Sequence, residues 1–335
     1  MKKILLLLAL VSSLSFAQDV TKVGTTAAKF LDIPVGPRAA ALGSAFVSIA
    51  DDPSAMYWNP AGLAKLSQNE IMFDHTSWFV DIGVEYGGVV MPMGSFGVLG
   101  ANITSVNYGE MDVTTEQNPE GTGETFTAAS YAFGISYARP LTEWFSIGTN
   151  VKYINQRISH SNADGFAIDV GTIFTTPFRG IRLGASISNF GSKMQMTGSD
   201  LLVQKDIDPA HNGNNPSTNA YLATDKFDLP LSLHIGISDD LIQSDDQQLT
   251  VAVDALHPND NTESVDVGAE YQVLNKMIAF RGGYNSLFMQ DSQAKFTLGL
   301  GLNHQFENLR LKVDYSYQAF DTFSGVNKFS LGIMF

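Results

Sequence analysis

The chain has 335 residues, a formal charge of −14, no cysteine and only 16% charged residues. Without cysteine it makes no disulfide, performs no thiol catalysis and carries no lipidated N-terminal cysteine, and so acidic a chain does not suit a nucleic-acid partner. The charged fraction falls below the roughly one quarter usual in soluble domains.

The first element is Lys2-Lys3, an apolar run from Ile4 to Val11, then Ser15-Phe16-Ala17. This predicts a secretory signal peptide over residues 1–17, cleaved after Ala17. The run is too short to cross a membrane as a helix, and an uncleaved anchor is the alternative reading. No later segment has enough consecutive apolar residues for a membrane helix. An exported chain with little charge and 30 glycines points to an outer-membrane β-barrel.

Residues 18–68 form the next unit, and Gly36 to Ala64 is its one helix-like stretch. Arg38 to Ala50 is rich in small residues, with Leu42, Phe46 and Ile49 at helical spacing. Asp51 and Asp52 end that run. Asp52-Pro53 and Asn59-Pro60 each set a capping residue before a proline, as helix starts do. The expectation is a short helix, a sharp break, and one or two further helical turns.

Arg38-Ala-Ala-Ala-Leu-Gly43, Ala45-Phe-Val47, Ile49-Ala-Asp-Asp52 and Tyr57-Trp-Asn-Pro-Ala-Gly-Leu-Ala64 together resemble the N-terminal signature of the PorV/PorQ family. Its members are outer-membrane barrels related to the FadL fatty-acid channels, and the Asn-Pro-Ala element is shared with that wider group. The resemblance implies an all-β membrane protein, an antiparallel transmembrane β-barrel of about fourteen strands with this stretch folded into the lumen as a plug. Arg38, Gly43, Asp51, Asp52, Asn59, Pro60 and Gly62 are then the plug residues. It also implies a component of the type IX secretion system that handles or anchors exported proteins at the cell surface. Its partners would be the translocon, the attachment complex or the secreted proteins. Kinship with FadL implies the alternative, passive transport of a hydrophobic molecule across the outer membrane.

Residues 69–335 read as strand after strand. Phe329, Leu331, Ile333 and Phe335 alternate with Ser330, Gly332 and Met334. Leu309, Leu311, Val313, Tyr315 and Tyr317 alternate with Arg310, Lys312, Asp314, Ser316 and Gln318. This is the period of a strand with one face in lipid and one in a polar lumen. A soluble sandwich also alternates, but its outer face carries most of the charge. Here the second face is often Gly, Ala, Ser or Thr, as suits the crowded inside of a filled barrel.

About fourteen strands are expected, near 69–76, 84–92, 95–107, 126–138, 144–158, 164–175, 180–190, 229–238, 247–256, 263–272, 276–284, 295–306, 308–318 and 326–335. Connections after even strands are mostly short and those after odd strands include the two longest, 108–125 and 191–228, as short periplasmic turns and long extracellular loops require. Asp239 to Asp246 is the one periplasmic connection longer than expected. The loop from Asp206 to Asn219 is polar, turn-rich and superficial.

Lys152, Asp169, Arg182, Asp254, Asp266, Glu270, Arg310, Lys312 and Asp314 fall on predicted lumen faces. They either line a polar path or pair with one another and with the plug. Arg38, the only basic residue between Lys29 and Lys65, is the natural partner of a lumen carboxylate. The histidines lack metal-ligand spacing, no nucleophile pattern appears, and neither cofactor nor enzyme activity is expected. Trp78 with Phe79, Trp144 with Phe145, Phe174 with Phe178, and Phe320 with Phe323 fit interfacial girdles. The terminal Phe335, after its alternating residues, resembles the signal read by the barrel-insertion machinery.

Overall fold

The computed structural model describes residues 22–211, 215, 217–289 and 292–335. The expected signal peptide, residues 1–17, lies outside them. Strands form where side chains alternate. They are β1 (Glu70–Ser77), β2 (Gly83–Pro92), β3 (Val98–Asp112), β4 (Thr125–Pro140), β5 (Phe145–Ile158), β6 (Ser161–Thr175), β7 (Arg182–Gly191), β8 (Thr197–Gly198), β9 (Leu202–Lys205), β10 (Thr218–Tyr221), β11 (Ser232–Gln243), β12 (Gln248–Pro258), β13 (Ser264–Val273), β14 (Ile278–Leu287), β15 (Ala294–Phe306), β16 (Leu309–Phe320) and β17 (Val326–Met334).

Fourteen of these, β1 to β7 and β11 to β17, pair antiparallel with their neighbours, and β17 pairs with β1 to close the ring. Closure leaves no strand edge unpaired in a medium that offers backbone groups no hydrogen bonds. No helix among the described residues is long and apolar enough to cross a membrane. Outward positions such as Phe133, Ile135, Leu298, Leu300 and Phe329 are exposed, while inward Ser136, Asn150, Asp169 and Glu270 are buried.

Local differences from expectation have local causes. β11 continues to Gln243 past a bulge between Asp240 and Ile242, so the connection expected over Asp239 to Asp246 shrinks to 244–247. β3 and β4 likewise continue past a bulge between Asn107 and Glu110, leaving a tip of 113–124. The longest connection is not bare loop. β9 and β10 form a small hairpin in it, and β8 adds to the outer end of β6.

The run Arg38 to Ala50 is not one helix. Only Pro37–Ala41 is α-helical, and Gly43 and Ser44 then take φ of 63° and 70°. A second turn of α-helix covers Ala55–Trp58, followed by a 3-10 helix at Pro60–Lys65. Helical propensity yields here to the wall. A Cβ at Gly43 would lie 2.7 Å from the Tyr284 backbone, so the chain must turn where a helix would have continued.

Candidate functional site: the luminal segment and its vestibule

Residues 28–66 lie inside the barrel. Leu42, Phe46, Met56 and Leu63 are fully buried, each worth about 1.5–3 kcal/mol against exposure. Pro37–Ala41 packs against β14 to β17, and Pro60–Lys65 against β3 to β6 on the opposite wall. The wall meets the segment with glycines. A Cβ at Gly148 would fall 2.3 Å from the carbonyl carbon of Pro60, one at Gly171 2.0 Å from Asn59 Oδ1, and one at Gly268 2.3 Å from Leu42 O. Gly62 serves the segment itself, because a Cβ there would fall 2.0 Å from Ala50 O.

So irregular a backbone must find hydrogen-bond partners once buried, and the wall supplies many of them. Gly36 N–H donates to Asp74 Oδ2 at 2.7 Å, and Val47 N–H to Asp254 Oδ2 at 2.8 Å. The Thr297 hydroxyl accepts from Gly43 N–H at 3.0 Å and donates to Ala41 O at 2.9 Å. Asn150 donates to Met56 O at 3.1 Å, Tyr86 to Pro53 O at 2.9 Å and Lys328 to Pro34 O at 2.6 Å. Asn59 caps the 3-10 helix by accepting from Ala61 N–H at 3.1 Å, and its amide donates to Val47 O and Thr172 O at 2.8 and 3.0 Å.

Charge concentrates at one side. Glu270 grips Arg38 with two bonds of 3.0 Å. The same guanidinium contacts Asp51 and, at 3.4 Å, Asp52, and lies 5.3 Å from the Phe46 ring centroid. Glu270 also accepts from Arg281 at 2.6 Å, and Arg281 reaches Asp314 at 2.6 Å. Burial opposes the Arg38 charge, but Asp51 and Glu270 outweigh it and hold its pKa above the ordinary value. Lys65 donates to Ile49 O at 2.9 Å. Burial pushes its ammonium down to about 8 while Asp51 pulls the other way.

The predicted lumen charges therefore divide. Arg38, Asp51, Asp52, Glu270 and Asp314 join one network. Lys312 pairs with Glu70 at 2.9 Å. Lys152 pairs with Asp169 at 2.9 Å, beside Asn189 at a bulge of β7. Arg182 holds Asp240 with bonds of 2.8 and 2.9 Å. Arg310 donates to Gln305 at 2.9 Å near the mouth. Asp254 and Asp266 face each other across β12 and β13 and hold backbone N–H groups of Val47 and Ser286. Phe335 N–H donates to Asn69 O at 3.0 Å. Trp78, Phe79, Phe320 and Phe323 form one cluster, with the Phe79 ring 4.8 Å from that of Phe320, edge to face, and 4.8 Å from that of Phe323, tilted. Among the described residues no group of histidines and carboxylates is placed to hold a metal ion.

Below the segment, on the side of the short connections, a cavity of about 350 Å³ is bordered by Arg38, Lys65, Glu70, Arg281, Lys312 and Asp314. On the other side two gaps of about 30 and 10 Å³ lie beside Leu31 and Tyr57.

The sequence model of an uncharacterised protein family, UPF0164, matches residues 8–168. No curated protein matches the chain. Among solved structures, a Pseudomonas aeruginosa FadL homologue aligns with a TM-score of 0.57 and 13% identity over 90% of this chain and 98% of its own. The Pseudomonas putida toluene transporter TodX aligns with 0.58 and 13% over 90% and 97%. The fold is that of the FadL-type outer-membrane barrels. The CymD monoaromatic hydrocarbon channel shares it, at 0.57 and 11% over 90% and 97%.

With this fold Arg281, Glu70, Asp74 and Lys328 also turn inward, though none is singled out above from the sequence. Phe280 and Tyr284 face outward, which turns Arg281 inward by the period of two. Phe329 does the same for Lys328, and Phe73 with His75 for Asp74.

Proposed function

We propose that this outer-membrane barrel handles or anchors exported proteins at the cell surface, in the role that resemblance to the PorV/PorQ family implies within the type IX secretion system. The observation that carries the reading is the fastening of the luminal segment. It is bonded to opposite walls, and the space left beneath it is lined by charged side chains set among apolar ones such as Leu66, Met72 and Met277. A hydrophobic molecule entering there would strip water from Arg38, Lys65 and Lys312, at an effective several kcal/mol per desolvated ion. With the lumen filled, the outer connections, above all 192–231, remain for partners. In this reading residues 1–17 are the export signal, and Phe335 is part of the sequence read by the barrel-insertion machinery. An affinity pull-down from detergent-solubilised outer membrane tests it. Co-purification of translocon, attachment-complex or secreted proteins supports the role, and recovery of the barrel with lipid alone rejects it.

The fold shared with TodX and CymD favours a second reading, passive transport of a hydrophobic small molecule. The segment must then move. Uptake of an aromatic hydrocarbon by liposomes containing the barrel, above that of empty liposomes, would support transport.

A further inference from the structure

The vestibule beneath the luminal segment gathers cations in an acidic chain. Six of the 20 lysines and arginines border it, against four of the 34 acidic residues. Each of those four acids already has a cation. Arg38 takes Asp51 and Asp52, Lys312 takes Glu70, and Arg281 takes Asp314. The reverse does not hold. No ion pair of the described residues includes Lys65, Lys276 or Arg310. Lys65 donates to Ser48 O at 3.4 Å and Ile49 O at 2.9 Å, and Arg310 to Gln305 Oε1 at 2.9 Å. These acceptors are neutral. An ammonium carries three N–H groups and a guanidinium five, so charged donors are left over around one cavity.

We propose that the vestibule is a binding site for a compact oxyanion with two negative charges, a phosphate ester or a dicarboxylate, entering from the side of the short connections. The three spare cations come from different directions. Lys65 ends the 3-10 helix of the luminal segment, Lys276 lies in the connection between β13 and β14, and Arg310 stands at the foot of β16. A single acceptor would meet only one of them, whereas an anion with oxygens at both ends meets Lys65 above and Lys276 with Arg310 at the rim, through charge-assisted hydrogen bonds. The cavity of about 350 Å³ is at the small end of ligand sites, which favours a compact body. A cleft with spare charge of one sign also focuses its field on the opposite sign. The luminal segment closes the cavity above, so the ligand reaches it from the periplasmic side of such a barrel. The site does not depend on what the outer connections bind.

Isothermal titration calorimetry of the detergent-solubilised barrel with succinate, inorganic phosphate and acetate tests the proposal. Succinate or phosphate should bind about tenfold more tightly than acetate, since one further hydrogen bond to a charged group is worth roughly that factor. Which of the two binds tells a dicarboxylate ligand from a phosphate. Lys276→Gln and Arg310→Gln, both outside the Arg38 network, should each weaken binding by about tenfold, and Arg310→Lys should weaken it less. Lys205→Gln, in the hairpin of β9 and β10 on the opposite side of the barrel, should leave it unchanged. Heat-modifiable migration checks that each variant has assembled. Equal affinities for succinate, phosphate and acetate overturn the proposal. So does unchanged affinity in an assembled Lys276→Gln/Arg310→Gln double variant, or binding of a glutamate-rich peptide by a barrel that takes neither succinate nor phosphate.

Discussion

Along β13 to β17 the luminal segment is held by charge as well as by contact; along β3 to β6 it is held by contact. On the first side Arg38 reaches Glu270 through a long side chain, and the cavity of about 350 Å³ opens beside it. On the second, Pro60 and Asn59 press on Gly148 and Gly171 with no room for a methyl group. A long-armed ionic contact tolerates displacement of the parts it joins, because water can replace each partner in turn. Backbone packed on backbone tolerates none. On the charged side Gly268 and Gly283 press just as closely on Leu42 and Gly43, so only the Arg38 arm and the cavity beside it leave room for displacement there.

Four changes test that contrast, from the largest expected effect to the smallest. Gly148→Leu places carbon against the Pro60 backbone, which cannot yield, so the segment should fail to seat. Planar-bilayer recordings should pass from closed in the parent to ion-conducting in the variant. A closed, stable variant would break the comparison on its rigid side. Glu270→Ala strips Arg38 and Arg281 of their shared carboxylate, at about 3–5 kcal/mol. Reversible unfolding in lipid measures the loss, and hydrogen exchange should rise over 37–43 and not over 60–65.

Asn59→Ala removes a cap and should cost about 0.5–2 kcal/mol. Its exchange signature should be the reverse, with protection lost at Ala61 and retained at Ala40. Raising salt from about 0.1 to 1 M shortens the screening length from about 10 to 3 Å. Exposed Lys29, paired with the half-buried Asp32, feels this; Arg38 and Glu270, shielded by the wall, should not, so the unfolding free energy moves by only a few tenths of a kcal/mol. A large salt effect would show that water reaches the charged side freely.

How much of this was legible follows from distance along the chain. Strands and their faces depend on neighbours two residues apart, so Leu309 to Tyr317 declare themselves. The capping role of Asn59 is similarly local, since its acceptor bond goes to Ala61. The partner of Arg38 is not local. That a lumen carboxylate awaits it is readable from its isolation among uncharged residues, but Glu270 is 232 positions away, and only the register of the closed ring puts it there. The break at Gly43 is equally hidden. Nothing near it forbids a helix; the Tyr284 backbone does.

The reach of these bonds also orders events in time. Gly43 meets Thr297 across 254 positions, and Pro34 meets Lys328 across 294. A chain emerging from its N-terminus presents the segment first, when no acceptor for its Gly36 or Val47 amides yet exists. Contacts so distant in sequence are slow to form because loop closure must come before them. The residues made earliest are therefore among the last to find their places. Their buried partners on β15 and β17 come together only once the ring closes.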